Sequence, residues 1–263
     1  MAIARSVAPS LIDALSMSSE KPPISYEAAH QQHSDYIDTL REFVPTLLLP
    51  FLPDHPDCCF VEDTVVAIGN IAVVTQPGHS SRRGEVDSVR RVCLELGMDV
   101  LDMRINSPTA TCDGGDVMFT GQHLFVGLSE RTNEDGVKML AQSFCGVEVV
   151  AVFMPNDCPA LHLKSIVSQL DEETILAPEG PLGDAILKQL GSRYQAVRLP
   201  NMLACNVVSI NGAVLAQDGG CLSSREILEE SCLRKGINIK WVNAAEMAKC
   251  DGALTCCSVL LNI

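Results

Sequence analysis

Hydrophobic and polar positions along this chain switch between a two-residue and a helical period in an order that repeats. Thr64–Ile68 and Asn70–Thr75 are short β-rich runs parted by Gly69, the pattern of a hairpin. Over Ser81–Leu96, residues Val86, Val89, Val92, Cys93 and Leu96 fall on one face at helical spacing. Gly97 then predicts a stop, and Met98–Met103 a strand. The order strand, strand, helix, strand recurs. Asp116–Phe119 and His123–Gly127 flank Thr120-Gly121-Gln122, with a helix predicted over Asn133–Phe144 and a strand over Val147–Phe153. Predicted strands at Leu163–Gln169 and Thr174–Ala177 precede a helix at Leu182–Leu190 and a strand at Ala196–Leu199. Cys205–Ile210 and Ala213–Ala216 flank Asn211-Gly212, a strong two-residue hairpin signal, before a helix at Ser224–Lys235 and a strand at Asn238–Val242.

Gly252–Ile263 has the pattern of a strand pair without its helix and third strand. A helix at Tyr26–Val44 and a strand at Thr46–Leu49 would supply them from the other end. Four whole ββαβ units and one split unit, spaced at roughly 40 to 55 residues, have the period of a cyclic array. The expected fold is therefore α/β: a five-fold pseudosymmetric αβ propeller in a single domain over residues 1–263. A plain α/β sandwich is the alternative.

Composition is consistent with a sizeable core, at 47% hydrophobic and 20% charged residues. Charge narrows the partners. Against 19 Lys and Arg stand 33 Asp and Glu, a net charge of −14, which repels phosphate backbones and anionic membranes and attracts cations. Aromatics, at 4%, leave little for stacking on bases. No nucleic-acid or membrane partner is expected. Met1–Leu15 carries Arg5 but no continuous apolar stretch or small-residue cleavage site, and no run reaches the roughly 20 apolar residues of a membrane span. A cytoplasmic setting is expected, with the 12 cysteines as reduced thiols. Cys58-Cys59 and Cys256-Cys257 are adjacent pairs, not CxxC motifs, and HExxH does not occur, so no structural zinc site is expected. Cys93, Cys145 and Cys205 sit among apolar neighbours and are expected to be small core hydrophobes.

The chemistry-bearing residues fall at one position of the repeat. At or just before the first strand of each unit lie Glu62-Asp63, Asp113-Gly114-Gly115-Asp116, His162, Asn206 and Cys256. Around an axis, they would face one another across a channel. Singly, each has a plainer reading. The Asp-Gly-Gly-Asp run can be a turn whose glycines permit positive φ or close backbone approach, His162 a satisfied core histidine, and Cys256 strand packing. Together they supply a nucleophile, a proton shuttle and an anionic cradle. A thiolate attacks an electrophilic carbon, and a histidine protonates the leaving group and then activates water. Acyl transfer would call for oxyanion-stabilising donors, whereas carboxylates stabilise a cation. A guanidinium fits, because its planar donors pair bidentately with carboxylates. Acids beside a thiol disfavour the thiolate until a cationic substrate offsets them.

Longer stretches carry a resemblance. They are Asp57-Cys-Cys-Phe-Val-Glu-Asp63, Pro77-Gly-His-Ser-Ser-Arg-Arg-Gly-Glu-Val-Asp87 and Cys112-Asp-Gly-Gly-Asp-Val-Met-Phe-Thr-Gly121, then Phe125-Val-Gly-Leu-Ser-Glu-Arg-Thr-Asn133, Leu161-His-Leu-Lys-Ser165 and Asp251-Gly-Ala-Leu-Thr-Cys-Cys-Ser-Val-Leu260. In this order, over nearly the whole chain, they resemble the dimethylarginine dimethylaminohydrolase family of the guanidine-modifying pentein superfamily. The resemblance implies the pentein fold. It also implies hydrolysis of asymmetric dimethylarginine and monomethylarginine to citrulline and a methylamine, through a covalent thiouronium on cysteine.

By that resemblance Cys256 is the nucleophile, favoured over Cys257 because the family nucleophile follows a Leu-Thr or Leu-Ser step, and His162 is the general acid and base. Asp113 would orient His162 and contact the guanidinium, which Asp63 would hold. Arg131 would take the substrate carboxylate, with Arg82 organising that end, while Asp57, Glu62 and Asp251 contribute to amine recognition. Cys250 stands where the family often has an aliphatic residue, and a backbone carbonyl contact there would survive. The loop that covers the substrate aligns poorly, with Leu15 as its candidate contact. No cofactor is required, and zinc bound reversibly by Cys256 and His162 would be inhibitory. A monomer or homodimer acting on a small molecule is expected. The competing readings are an arginine or agmatine deiminase, with Arg82 and Arg131 arguing against agmatine, an amidinotransferase, and a non-catalytic regulator that binds arginine derivatives.

Overall fold

A computed structural model describes residues 1–20 and 22–261. Within them the chain forms five three-stranded sheets, each with one antiparallel and one parallel pair. The split unit begins with β1 (Ala2–Arg5), helix α1 (Tyr26–Arg41) and β2 (Thr46–Leu49), which lies parallel to β1. The first whole unit is β3 (Val65–Ile68), β4 (Ile71–Val74), α2 (Val86–Glu95) and β5 (Asp99–Asp102), followed by a single turn, α3 (Met103–Asn106). The second is β6 (Val117–Phe119), β7 (His123–Leu128), α4 (Glu134–Ser143) and β8 (Glu148–Phe153). The third is β9 (Ser168–Asp171), β10 (Thr174–Pro178), α5 (Pro181–Leu190) and β11 (Gln195–Leu199). The fourth is β12 (Val207–Ile210), β13 (Ala213–Asp218), α6 (Leu222–Lys235) and β14 (Asn238–Asn243). Short α7 (Ala245–Ala248) leads to β15 (Ser258–Leu260), which returns to pair antiparallel with β1, Ile3 opposite Val259.

Local chemistry explains the boundaries. Asn211 and Gly212 have φ of 47° and 77°, the two left-handed residues that a tight hairpin between β12 and β13 requires. Asn133 caps α4 by accepting the Gly136 N–H at 2.9 Å. In α2 the predicted face is buried through Val86, Val89 and Cys93. Apolar clusters then weld neighbouring units. Ile3, Val61, Val65, Val89, Cys93 and Val259 share one cluster that joins the split unit to the first. Burying each such aliphatic side chain contributes about 1.5–3 kcal/mol. Buried Arg5 adds a polar tie from β1 to α2, donating to Ser88 Oγ at 2.6 Å.

Four expectations change. Within Gly252–Ile263 only Ser258–Leu260 is strand among the described residues, and residues 262–263 lie outside them. Its antiparallel partner is β1, a stretch too short to show a period of its own. The segment from Leu163 opens with a 3-10 turn at Leu163–Ser165, and the strand is only Ser168–Asp171. The helix expected from Ser81 starts at Val86, after a separate 3-10 turn at Ser80–Arg82 that sends the Arg82 side chain inward. Cys145 is exposed, not core, whereas Cys93 and Cys205 are buried.

What positions the site is the segment before each first strand. In all five units it is a 3-10 turn: Val61–Thr64, Gly114–Asp116, Leu163–Ser165, Met202–Cys205 and Thr255–Cys257. Neighbouring turns touch, and Asn206 joins the fourth to the fifth by accepting the Thr255 N–H at 3.2 Å and donating to Thr255 Oγ1 at 2.9 Å.

Candidate active site

The ring of turns converts five separate sequence segments into one cluster. Asp113 and His162 are the residues that enter the second and third turns, while Asp63 and Cys256 lie inside the first and fifth. The two glycines between Asp113 and Asp116 are required by close approach and not by positive φ. A Cβ on Gly114 would collide with the Glu62 carbonyl, and one on Gly115 would lie 2.5 Å from His162 Nδ1.

His162 is buried, and its Nε2 donates to Asp113 Oδ2 at 3.0 Å, with Asp63 Oδ1 at 4.0 Å. Asp113 is itself held by the Gly78 N–H at 2.9 Å and Asp63 by the Gly115 N–H at 2.8 Å. Burial alone would lower the His162 pKa. The Asp63 charge, the Asp113 hydrogen bond and the Cys256 thiol outweigh it and hold the imidazole well above the usual histidine range. Nδ1 has no hydrogen-bond partner among the described residues. Asp63 shows the reverse balance: burial raises its pKa, but His162, Arg82 and the Gly115 amide bring it below the usual range.

Arg82 is not at the mouth of the site. It donates to Asp63 Oδ2 at 2.5 Å, to Glu85 Oε2 at 2.8 Å and to the Phe60 carbonyl at 2.9 Å, all in the interior. Asp63 therefore already holds a guanidinium, that of Arg82. Glu62 is likewise committed, to Lys164 Nζ at 2.5 Å. Beyond the ring, the first strands enclose a cavity of about 370 Å³, and Glu62 and Lys164 line that cavity.

A second, tighter pocket gathers the candidate residues. Leu15, Met17, Asp57, Asp63, Arg82, Arg131, His162, Cys250, Asp251 and Cys256 all line it. Two of its carboxylates clamp the N-terminal segment over the opening. Asp57 Oδ1 accepts the Leu15 N–H at 3.1 Å, and Asp251 Oδ2 accepts the Met17 N–H at 2.6 Å. The space inside is about 20 Å³, room for a water and not for an amino acid. Burial raises the Asp57 pKa, with Arg82, the Leu15 amide and Arg131 pulling the other way.

These motifs match known proteins. The family model for arginine deiminase matches residues 50–190. The N(G),N(G)-dimethylarginine dimethylaminohydrolase of Streptomyces coelicolor is 33% identical over 263 residues, covering 99% of this chain and 96% of its own. The chain belongs to the dimethylarginine dimethylaminohydrolase family. The family is one of hydrolases acting on C–N bonds. A solved structure of the Pseudomonas aeruginosa member, a cysteine-to-serine mutant complexed with citrulline, superposes with a TM-score of 0.85 at 30% identity, over 98% of this chain and 97% of that one. The N-terminal domain of ArgZ, an arginine dihydrolase, shares the fold at a TM-score of 0.78 and 20% identity.

Against the residues that the dimethylarginine dimethylaminohydrolase resemblance implied, the structure brings nine into the tight pocket: Leu15, Asp57, Asp63, Arg82, Arg131, His162, Cys250, Asp251 and Cys256. Asp113 stands behind His162, and Glu62 faces the larger cavity instead. Sequence reasoning missed Met17, Phe60 and Leu161 in the lining, and it grouped Asp116 with the site residues without giving it a role, whereas the structure puts it behind the pocket. Asp116 had a signal, since it shares the Asp-Gly-Gly-Asp run with Asp113. Met17 had none. For metal, Asp63, Asp113 and His162 bring ligand atoms within 4.8 Å of one another. Asp63 and Asp113 are already bonded to Arg82, Gly115 and Gly78, which commits their oxygens. Cys256 and His162 line the same pocket, a thiol and an imidazole of the kinds zinc takes.

Proposed function

We propose that this chain hydrolyses asymmetric dimethylarginine and monomethylarginine to citrulline and a methylamine. The observation that carries the reading is the buried His162, poised by Asp113 and Asp63 with its Nδ1 uncommitted, in one pocket with the Cys256 thiol and Arg131. Such a pocket favours a cation flanked by a nucleophile and a proton carrier.

The reaction needs the segment at Leu15–Met17 to release Asp57 and Asp251, which then become free to bind the substrate ammonium while Arg131 takes its carboxylate. Cys256 gives its thiol proton to solvent as the cationic substrate binds, and the thiolate attacks the guanidinium carbon. His162 gives its proton to the methylated nitrogen, the C–N bond breaks and the amine leaves, with a thiouronium on Cys256. His162, now neutral, takes a proton from water. The hydroxide adds to the same carbon, the C–S bond breaks to return the thiolate, and the added hydroxyl loses its proton to solvent, leaving citrulline. Asp63 acts mainly through charge on His162, since its own oxygens hold Arg82 and Gly115. We further propose a cytoplasmic enzyme that needs no metal and that zinc inhibits through Cys256 and His162. No helix among the described residues is long and apolar enough to cross a membrane.

The test is product analysis under reducing conditions with both methylated arginines and with arginine, combined with mass spectrometry of acid-quenched protein. Citrulline, a methylamine and a thiouronium on Cys256 are expected, with none from Cys256→Ser. Ammonia from arginine, with no methylamine from methylated arginine, would replace this reading with a deiminase. Inactivity of the wild type on every guanidine tried would replace it with a binding protein.

A further inference from the structure

Asp116 lies fully buried behind the site and touches none of the pocket's space. Its two oxygens nevertheless reach three functional segments. Oδ1 accepts the N–H of Leu163, the peptide that follows His162, at 3.0 Å. Oδ2 accepts the hydroxyls of Ser129 at 2.6 Å and of Thr132 at 2.7 Å. Those hydroxyls are acceptors in turn. Thr132 Oγ1 receives the Asp113 N–H at 3.1 Å, and Ser129 Oγ receives the N–H groups of Arg131 at 3.0 Å and Thr132 at 3.2 Å.

We propose that Asp116 is a positioning residue that sets His162, Asp113 and Arg131 in register with one another. The inference rests on the roles assigned to those three residues above. Because both hydroxyls receive backbone N–H groups, their single protons point at Asp116, and all three bonds it receives require an acceptor on each oxygen. A carboxylate meets that requirement and an amide cannot. Asparagine in one orientation puts an NH₂ against both hydroxyl protons, and in the other against the Leu163 N–H. The space is equally specified. A Cβ on Gly127 would lie 3.0 Å from Asp116 Oδ1 and 2.9 Å from Leu163 Cβ, so only glycine leaves the carboxylate where it is. The ionisable groups that face Asp116 are His162, Asp113 and the thiols of Cys112 and Cys158. Among them His162 gains from its charge.

The experiment measures kcat, KM, the pH profile and thermal unfolding for Asp116→Asn, Gly127→Ala, Ser129→Ala and Thr132→Val on methylated arginine. Asp116→Asn is expected to lose about 100-fold in kcat, the scale of a misplaced catalytic group, with a raised KM. Its alkaline limb moves to lower pH, because a negative charge that favours imidazolium is gone. Gly127→Ala follows it in direction. Ser129→Ala, which frees the N–H groups of Arg131 and Thr132 but leaves the Thr132 hydroxyl on Asp113, acts chiefly on KM, and Thr132→Val, which frees the Asp113 arm, chiefly on kcat. A structural role alone would lower the melting temperature with kcat, KM and pH limb unchanged in folded protein, and that result overturns the proposal. If Asp116→Asn does not fold, unchanged kinetics in both hydroxyl variants overturn it. An inactive wild type would instead overturn the proposed function.

Discussion

Arg82 donates to Asp63 Oδ2 at 2.5 Å in a pair almost completely withdrawn from water. The acid expected to grip a substrate guanidinium is thus neutralised by a residue 19 positions away, whose remaining donors go to Glu85 and to the carbonyls of Phe60 and Asp57. One buried cation between two acids keeps Asp63 ionised and, through it, His162 charged.

Removing that cation leaves two buried carboxylates without their partner. Arg82→Met is expected to cost about 3–5 kcal/mol in urea unfolding at neutral pH, the range for breaking a buried ion pair from one side. Arg82→Lys should recover only part of the loss, since a single ammonium cannot reproduce the fork that meets Asp63, Glu85 and Phe60. A loss below 1 kcal/mol for the methionine variant would show that the pair contributes no more than an exposed one.

The raised pKa of His162 sets a direction for pH. Its folded value lies above the unfolded value near 6.5, so its stabilising contribution is complete below that pH and is lost as pH rises through the folded value. In the proposed reaction the imidazolium is also the proton donor, so kcat should fall along the same alkaline limb. Asp113→Asn removes one of the partners that favour the charged ring. The limb should then move toward lower pH, with kcat reduced on the order of 10²–10⁴-fold. A limb that stays in place after this change would separate Asp113 from the protonation of His162.

The clamp over the pocket should be visible in exchange. Asp251→Asn keeps an amino acid that tolerates the left-handed φ of 58° at this position but removes the charge that holds the Met17 amide. Loss of a charge-assisted hydrogen bond of about 1.5–3 kcal/mol predicts exchange of that amide faster by about 10–100-fold. Asp57→Asn should do the same at Leu15. Equal protection in wild type and variants would mean that other contacts hold the segment.

Two neighbouring glycines should fail differently. Gly115→Ala places a methyl 2.5 Å from His162 Nδ1 and 2.8 Å from its Cγ, side-chain atoms and not backbone, so the imidazole is displaced from Asp113 and kcat should fall by roughly 100-fold. Gly114→Ala meets the backbone carbonyl of Glu62, which cannot swing, and should appear first as a lower melting temperature. Circular dichroism melts paired with citrulline assays distinguish the two outcomes.

Metal removal tests the zinc proposal. Dialysis against a chelator should leave kcat unchanged, while added zinc should inhibit until the chelator is restored, and Cys256→Ser should bind zinc more weakly by calorimetry. Activity lost on chelation and restored by metal would require a metal in the reaction itself.

How far the residue order alone reached can be seen at particular places. The four whole units, the Asn211-Gly212 hairpin and the buried face of α2 were all legible, because each depends on residues within a few positions of one another. The placement of polar residues at equivalent strand starts was legible too, and with it the grouping of Cys256, His162 and Asp113. The partner of β15 was not, because β1 is four residues long and its pairing joins opposite ends of the chain. The same holds for Glu62 and Asp63, adjacent in the chain but turned to different cavities by a 3-10 turn.

Local sequence thus determined the repeat, the family and which residues are the candidate reactive groups, since period, turn chemistry and motif order are short-range properties. Tertiary structure alone decided which charges neutralise each other. It gave Asp63 to Arg82 and Glu62 to Lys164, and closed Asp57 and Asp251 on the segment at Leu15–Met17. Those assignments turn on distances of a few ångströms between side chains far apart in the chain. In a buried, low-dielectric ring such distances govern which acid stays ionised and which atom is left free to react.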